Sequence, residues 1–359
     1  MTLILGIEST AHTFGVGIAS EDGILVNIND TYTPPQGVGI HPRVAADHHV
    51  AVGPRLLSEA LRRLGIGIRD VDAVAFSMGP GLGPALRVGA TLARAIAIKF
   101  GKPLVPVHHG IAHVEVARWS VRFRDPLVLL VSGGHTMVIA HSGRTYGGVF
   151  GETIDMAIGN ALDYFARSIG LPNPGVPHLE ECAEKGSRYI PLPYTVKGGQ
   201  DVSFSGLVEE ALRLVRKGVA LPDVCLSLVE TAYSMLGEVV ERGGLALTGK
   251  KELLLAGGVA RSRRLRSVME WIANEFNAKL GIVPPEYAGG DNGGMIALTG
   301  LLAYKGGITI DPTEAVTKQR WRLDEVETPW FGNEPWFNKQ PQNTSSERIN
   351  EEKIKESNF

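Results

Sequence analysis

A chain of 359 residues has room for two domains of ordinary size, each with its own core. With 44% hydrophobic residues, 21% charged residues and a formal net charge of −2, it reads as a soluble globular enzyme and not as a protein that grips nucleic acid through bulk charge. The apolar start, Met1 to Glu8, is too short and lacks a basic leader for a signal peptide, and no stretch approaches the ~20 apolar residues of a membrane span.

In chain order, the first unit reads as a hairpin: Leu3–Ile7 and Phe14–Ala19 as strands, with Glu8-Ser-Thr-Ala-His-Thr13 turning between them. Leu104–Val107 is a further strand, and a helix starts at His109. The first design returns about a domain later, as Leu127–Val131, the turn Ser132-Gly-Gly-His-Thr136 and Met137–Ala140, which predicts duplicated lobes facing one another. Helical periodicity covers 53–64, 88–100, 155–169, 206–217 and 224–241. Two cysteines, Cys182 and Cys225, are too few for a disulfide framework or a Cys-rich zinc site and point to a reducing, cytoplasmic location. Leu253–Ala256 then runs into Gly257-Gly258-Val-Ala260, with a helix beginning near Arg263; strand, paired glycines and helix start offer backbone N–H groups to an anion. The 44 glycines are expected mainly at strand ends, where the backbone turns tightly or approaches a ligand. From about residue 331 the sequence becomes polar without an amphipathic period, so 331–359 is expected to be disordered or a loose arm.

The most chemically suggestive stretch is His108-His109-Gly-Ile-Ala-His113. On a helix, His109 and His113 share one face and can bind one divalent metal. Asp291, flanked by glycines in Tyr287-Ala-Gly-Gly-Asp-Asn-Gly-Gly294, is the best third ligand. Two histidines and a carboxylate with open positions suit Fe(II) or Zn(II). Such a histidine pair also occurs on ordinary helix surfaces and in satisfied cores, and Asp-Asn-Gly also marks turns and caps. A zincin protease is disfavoured, because Gly110 stands where its general-base glutamate belongs.

With these features in place, the sequence resembles the tRNA adenosine threonylcarbamoyltransferase family, in particular the archaeal catalytic subunit of KEOPS-type complexes. The resemblance rests on Gly6-Ile-Glu-Ser-Thr-Ala11, Gly39-Ile-His-Pro-Arg43, Gly79-Pro-Gly-Leu-Gly-Pro84, His109-x-x-x-His113, Val131-Ser-Gly-Gly-His-Thr136, Ala157-Ile-Gly-Asn-Ala-Leu-Asp163, Phe204-Ser-Gly-Leu207, Gly257-Gly-Val-Ala260 and Gly290-Asp-Asn-Gly293, in order across residues 3–330. It implies an α/β fold of two actin/Hsp70-like (ASKHA) lobes, 1–125 and 126–330, with lobe exchange near the C-terminus and a cleft between them. It implies transfer of threonylcarbamoyl from threonylcarbamoyl-AMP to the exocyclic amine of the adenosine beside the anticodon, in tRNAs reading codons that begin with adenine. Carried over residue by residue, the catalytic metal ligands fall on His109, His113 and Asp291, with one divalent metal per subunit and Fe(II) ahead of Zn(II). The nucleotide contacts fall on Val131, Ser132, Gly133, Gly134, Asp163, Glu180, Gly257, Gly258 and Ser262. The sequence departs from the family pattern at Leu130, where archaeal members usually have a tyrosine ligand, and at Val176 and Ser262, where a glycine and an asparagine are usual. The implied partners are tRNA, a small kinase-like ATPase and small accessory subunits, with no membrane.

Three basic clusters are candidate phosphate contacts: Arg261, Arg263, Arg264 and Arg266; Arg118, Arg122 and Arg124; and Lys318-Gln-Arg-Trp-Arg322 with its interleaved aromatic. Solvated helix faces are the plainer reading of each. An actin-like small-molecule kinase or a silent scaffold subunit would share the fold, but neither has a use for His109, His113 and Asp291.

Overall fold

The computed structural model of the chain describes residues 1–35, 38–172, 174–284, 287 and 290–337. Strands β1 (Ile4–Glu8), β2 (Thr13–Ser20) and β3 (Gly23–Thr31) form an antiparallel meander. Helix α1 (Pro42–Leu64) leads to β4 (Ala73–Gly79), then α2 (Gly83–Phe100) and β5 (Leu104–His108). Both later strands run parallel to β1, giving the order β3-β2-β1-β4-β5, and α3 (His109–Val121) follows β5 directly.

The second half repeats this plan. Strands β6 (Leu127–Val131), β7 (Thr136–Ser142) and β8 (Thr145–Glu152) make the meander. A longer insert follows: α4 (Ile158–Ser168), α5 (Gly175–Ala183), the two-residue strands β9 (Val196–Lys197) and β10 (Asp201–Val202), α6 (Ser205–Arg216) and α7 (Leu221–Glu238). Helix α7 continues through a π-helical stretch, Val239–Leu245, into the short α8 (Ala246–Thr248). Strand β11 (Glu252–Ala256), α9 (Arg263–Glu275) and β12 (Lys279–Ile282) complete a sheet of order β12-β11-β6-β7-β8, and α10 (Gly293–Lys305) follows. The two hairpins and the third glycine turn therefore sit where the sequence patterns put them.

Strand alternation divides the interior into three cores. Leu5, Ile7, Val74 and Phe76 face α1 and α2, whereas Ile4, Ala73 and Ala75 face inward. In the second sheet Leu127, Leu129, Leu253 and Leu255 face the α4–α9 insert, and Val128, Leu130, Leu254 and Ala256 face inward. Helices α3 and α10 lie in this inner core, between the two sheets.

Several glycines serve this layer and not a ligand, contrary to the strand-end expectation. A Cβ on Gly6 would meet the Ala297 backbone at 2.2 Å, and one on Gly17 would meet the Gly293 backbone at 2.4 Å. Mid-strand glycines thus let α10 lie directly on β1 and β2.

Three other expectations need correcting. Helix α1 starts at Pro42 and runs through Pro54 rather than starting at 53. Cys182 and Cys225 form a disulfide, because α5 and α7 pack side by side with the two Cα atoms 5.9 Å apart, so cysteine usage no longer argues for a reducing compartment. Residues 331–337 are packed, not loose: Phe331 stacks on His141 with ring centroids 3.5 Å apart, Trp336 is buried, and fully buried Glu334 meets Arg118 at 2.7 Å. Apolar anchors spaced along a polar stretch hold this arm, which an amphipathic-period search does not detect. Residues 338–359 lie outside the described residues.

Candidate active site

The start of α3 is set by the residue that caps it. His108 ends β5 and N-caps α3, its Nδ1 accepting from the Ile111 amide at 3.3 Å while Nε2 lies 3.0 Å from the Trp321 carbonyl. Burial pushes the His108 imidazole down to about 3, so it stays neutral, as a cap that accepts at one nitrogen and donates at the other must. With the start of α3 fixed, His109 and His113 project together four residues apart. Asp291 arrives from the start of α10, where Asn292 caps the helix by accepting from the Met295 amide at 2.9 Å.

Three atoms then meet in a nearly equilateral triangle. His109 Nε2 is 3.2 Å from His113 Nε2, and each lies 3.3 Å from Asp291 Oδ1. Bonds of about 2.1 Å to one shared ion would set ligand edges of roughly 3.0–3.4 Å, so the residues fit a divalent metal. Behind them, Glu8 Oε2 lies 3.1 Å from His109 Nδ1, the carboxylate being fully buried and also accepting the Thr10 amide at 2.6 Å. This partner fixes His109 with Nε2 toward the triangle. Burial works against charge on the His109 ring, but Glu8 and Asp291 outweigh it and raise the ring to about 10. Burial likewise opposes charge on Asp291, yet His109 and His113 hold it well below the usual carboxylate range.

The second-half turn borders this triangle. His135 approaches Gly110 closely enough that a Cβ there would stand 3.3 Å from its ring. In the Ser132–Gly134 turn, Ser132 Oγ accepts the amides of Gly134 and His135 at 3.2 and 3.0 Å. Gly257, at φ +91°, is pressed so close to the Val131 carbonyl that a Cβ would lie 2.3 Å away, joining the two turns. Beyond Gly134 and Gly258 there is open space, with no atom within 4 Å of a Cβ built on either.

The matching turn of the first half is filled. A Cβ on Gly79 would stand 1.9 Å from the Lys318 carbonyl oxygen, and one on Gly83 would stand 2.5 Å from the Gln319 side chain. The chain itself plugs one glycine turn and leaves its counterpart free for a ligand.

Two carboxylates flank the open turns. Asp163 Oδ1 accepts the Gly175 amide at 2.8 Å, and burial pushes its pKa up despite that bond. Glu180 accepts Tyr233 OH at 3.0 Å and the Ser262 hydroxyl. Ser262 Oγ also accepts the Leu265 amide at 3.0 Å, so its hydroxyl is engaged within the protein. Leu130, at the position where a tyrosine ligand is usual, is fully buried in the inner core, and half-buried Val176 sits at the start of α5.

The arginine clusters separate. Arg118 is fully buried between Glu115 and Glu334, with its guanidinium 4.1 Å from the centre of the Phe331 ring, so it is no surface contact. Arg264 pairs with Glu230, and Arg322 with Asp324 and Glu152. Arg261 and Arg263 are exposed and make no salt bridge among the described residues.

Sequence reasoning missed Glu8, Thr10, His108 as a cap, and Tyr233. Glu8 carried one usable signal, a carboxylate closing a wholly apolar strand. Tyr233, a buried residue in an apolar helix, carried none.

A family model described as TsaD, tRNA N6-adenosine threonylcarbamoyltransferase, matches residues 23–298. A protein of that name from Caldivirga maquilingensis is 64% identical over 329 residues, covering 92% of this chain and 98% of the relative. Another from Pyrobaculum islandicum is 58% identical over 329 residues, with the same shares covered. Among solved structures, T. kodakarensis HypF matches with a TM-score of 0.56 at 17% identity, covering 85% of this chain and 48% of HypF. That likeness concerns fold alone, the two-lobed actin/Hsp70-like architecture.

Proposed function

The chain belongs to the tRNA N6-adenosine threonylcarbamoyltransferase family, and on that premise we propose that its donor is threonylcarbamoyl-AMP and that His109, His113 and Asp291 hold one divalent metal, Fe(II) ahead of Zn(II). The activity is transfer of threonylcarbamoyl to N6 of an adenosine in tRNA. We place that adenosine beside the anticodon in tRNAs reading codons that begin with adenine. The triangle of 3.2 and 3.3 Å edges carries the metal reading.

The donor is a mixed anhydride, so attack by the adenosine amine on the carbamoyl carbon expels AMP with no need of a nucleophilic side chain. A divalent ion in the triangle would supply Lewis-acid polarisation of the acyl group. The chain's own residues set the geometry. Glu8 holds His109 Nδ1, leaving Nε2 for the ligand triangle. Amides of Gly133, Gly257 and Gly258 would receive the donor's phosphate in the open space, with Val131, Ser132 and Gly134 shaping the turn beside it. Asp163 and Glu180, with Ser262 behind, would accept from its ribose.

We assign residues 1–125 and 126–330 to the two lobes. A KEOPS-type assembly, with a small kinase-like ATPase and accessory subunits, would share the tRNA grip, which the chain's near-neutral charge leaves weak. A tRNA substrate favours a cytoplasmic location, and no helix among the described residues is long and apolar enough to cross a membrane.

Elemental analysis of the purified chain and of His109→Ala, His113→Ala and Asp291→Ala tests this reading. Near-stoichiometric metal in the parent is expected, lost in each variant together with at least about a hundredfold of transfer rate. Metal content unaffected by the substitutions, or absent after reconstitution with Fe(II) and Zn(II), would overturn it.

A further inference from the structure

Tyr233 is a fully buried phenol on α7, with no part in the chemistry above. Its hydroxyl reaches across to α5 and donates to Glu180 Oε1 at 3.0 Å. The same oxygen receives the hydroxyl of Ser262, which is itself fixed because it caps α9 through the Leu265 amide. One carboxylate oxygen is thus held from two helices, while Oε2 accepts no hydrogen bond among the described residues. A charged oxygen gripped by two donors leaves the carboxylate little freedom to rotate, so the direction of its free lone pairs is set before a ligand arrives.

We propose that Tyr233 is a positioning residue for donor binding, locking Glu180 so that its second oxygen is offered to the ribose hydroxyls of a nucleoside monophosphate. This rests on the reading of Glu180 as a donor contact. Burial, and then the Glu180 charge, push the phenol well above its usual range, so it remains a donor wherever the protein is folded. The α5–α7 contact also has its own covalent staple, Cys182–Cys225, so the two helices are joined independently of the phenol.

The test is AMP binding by calorimetry to the full chain, to Tyr233→Phe, Glu180→Gln and the double variant, with transfer kinetics and thermal midpoints alongside. Tyr233→Phe keeps the ring and its packing, so it should fold. We expect it to weaken AMP about fivefold and to raise the donor KM by a similar factor with kcat within about twofold. Glu180→Gln should weaken AMP further, and the double variant should match Glu180→Gln alone, since Tyr233 acts only through that carboxylate. If Glu180→Gln weakens AMP but Tyr233→Phe shifts only the thermal midpoint, Tyr233 is structural and the proposal fails. The proposal also fails if the two effects simply add. If Glu180→Gln itself leaves AMP affinity unchanged, the reading of Glu180 is what has failed, and the proposal falls with it.

Discussion

The two halves of the molecule repeat one topology and use it differently. In each, a three-stranded meander is followed by two parallel strands and then by a helix that enters the inner core, α3 in the first half and α10 in the second. The triangle of His109, His113 and Asp291 sits where these equivalent helices begin, so each half contributes at the same point of its fold. The difference lies in the strand ends and turns. Glu8 closes β1 where Val131 closes β6, and it turns a hairpin into a support for a ligand histidine. The first half's glycine turn is packed by Lys318 and Gln319, whereas the second half's turns are open. The repeat places two equivalent glycine turns, of which one is packed by the chain and the other is open, and under the proposed function only the open one can take the donor.

The contrast between filled and open turns predicts the largest difference between two like substitutions. Gly79→Ala places a methyl 1.9 Å from a backbone oxygen at φ +156°, and should lower stability by about 4 kcal/mol in chemical denaturation. Gly258→Ala enters open space, so stability should change by less than about 0.5 kcal/mol while AMP affinity falls about tenfold. Equal destabilisation by both would break the comparison. The second half alone carries the long insert and its disulfide. Cys182→Ala with Cys225→Ala, which opens a loop of sequence separation 43, should lower stability by about 4 kcal/mol. Glu8→Gln should weaken metal binding about 10- to 100-fold in competition titrations, because the His109 ring loses its charged partner and keeps only the Thr10 hydroxyl at 3.3 Å. Unchanged metal affinity there would reduce Glu8 to a structural carboxylate.

The duplication was readable from two similar hairpins because both strand pairs are short, local and apolar. The convergence of His109 and His113 was readable because helical spacing puts positions four apart on one face, and that of Asp291 because glycines surround it. What the sequence could not show was set by distant pairings. The plug at Gly79 depends on residues more than two hundred positions away, and the buried Arg118–Glu334 pair turns an apparent basic patch into core. The disulfide depends on α5 and α7 lying side by side, which no spacing of two cysteines reveals. The arm at 331–337 was read as loose because its anchors, Phe331, Glu334 and Trp336, follow no helical or strand period.

That arm is the smallest asymmetry between the halves, and it is tied down partly by a titratable ring. His141 stacks on Phe331, and its Nε2 lies 2.9 Å from Thr328 Oγ1. Burial, and then the Arg118 charge, push His141 down to about 4 from an ordinary value of 6.5. A base whose folded value is depressed is neutral in the native state where the unfolded chain already carries the proton. Between about pH 4 and 6.5 the unfolded state therefore binds more protons, so this contribution is complete above pH 6.5 and is lost as pH falls toward 4. Because the ring is only half-buried, the effect should be a degree or two, on the order of 2 °C in Tm between pH 7 and pH 5. Parent and variant are compared under one metal condition, so that the contribution of the raised His109 ring, which has the opposite sign, cancels. His141→Phe, which keeps the stack on Phe331 and removes the proton site, should flatten the pH dependence by about that amount. Buried His49, which burial and then the neighbouring His48 charge lower to about 4, should leave a residual slope of the same sign arising in the first half. A slope in His141→Phe as steep as in the parent would mean that proton uptake in this window does not act through the arm.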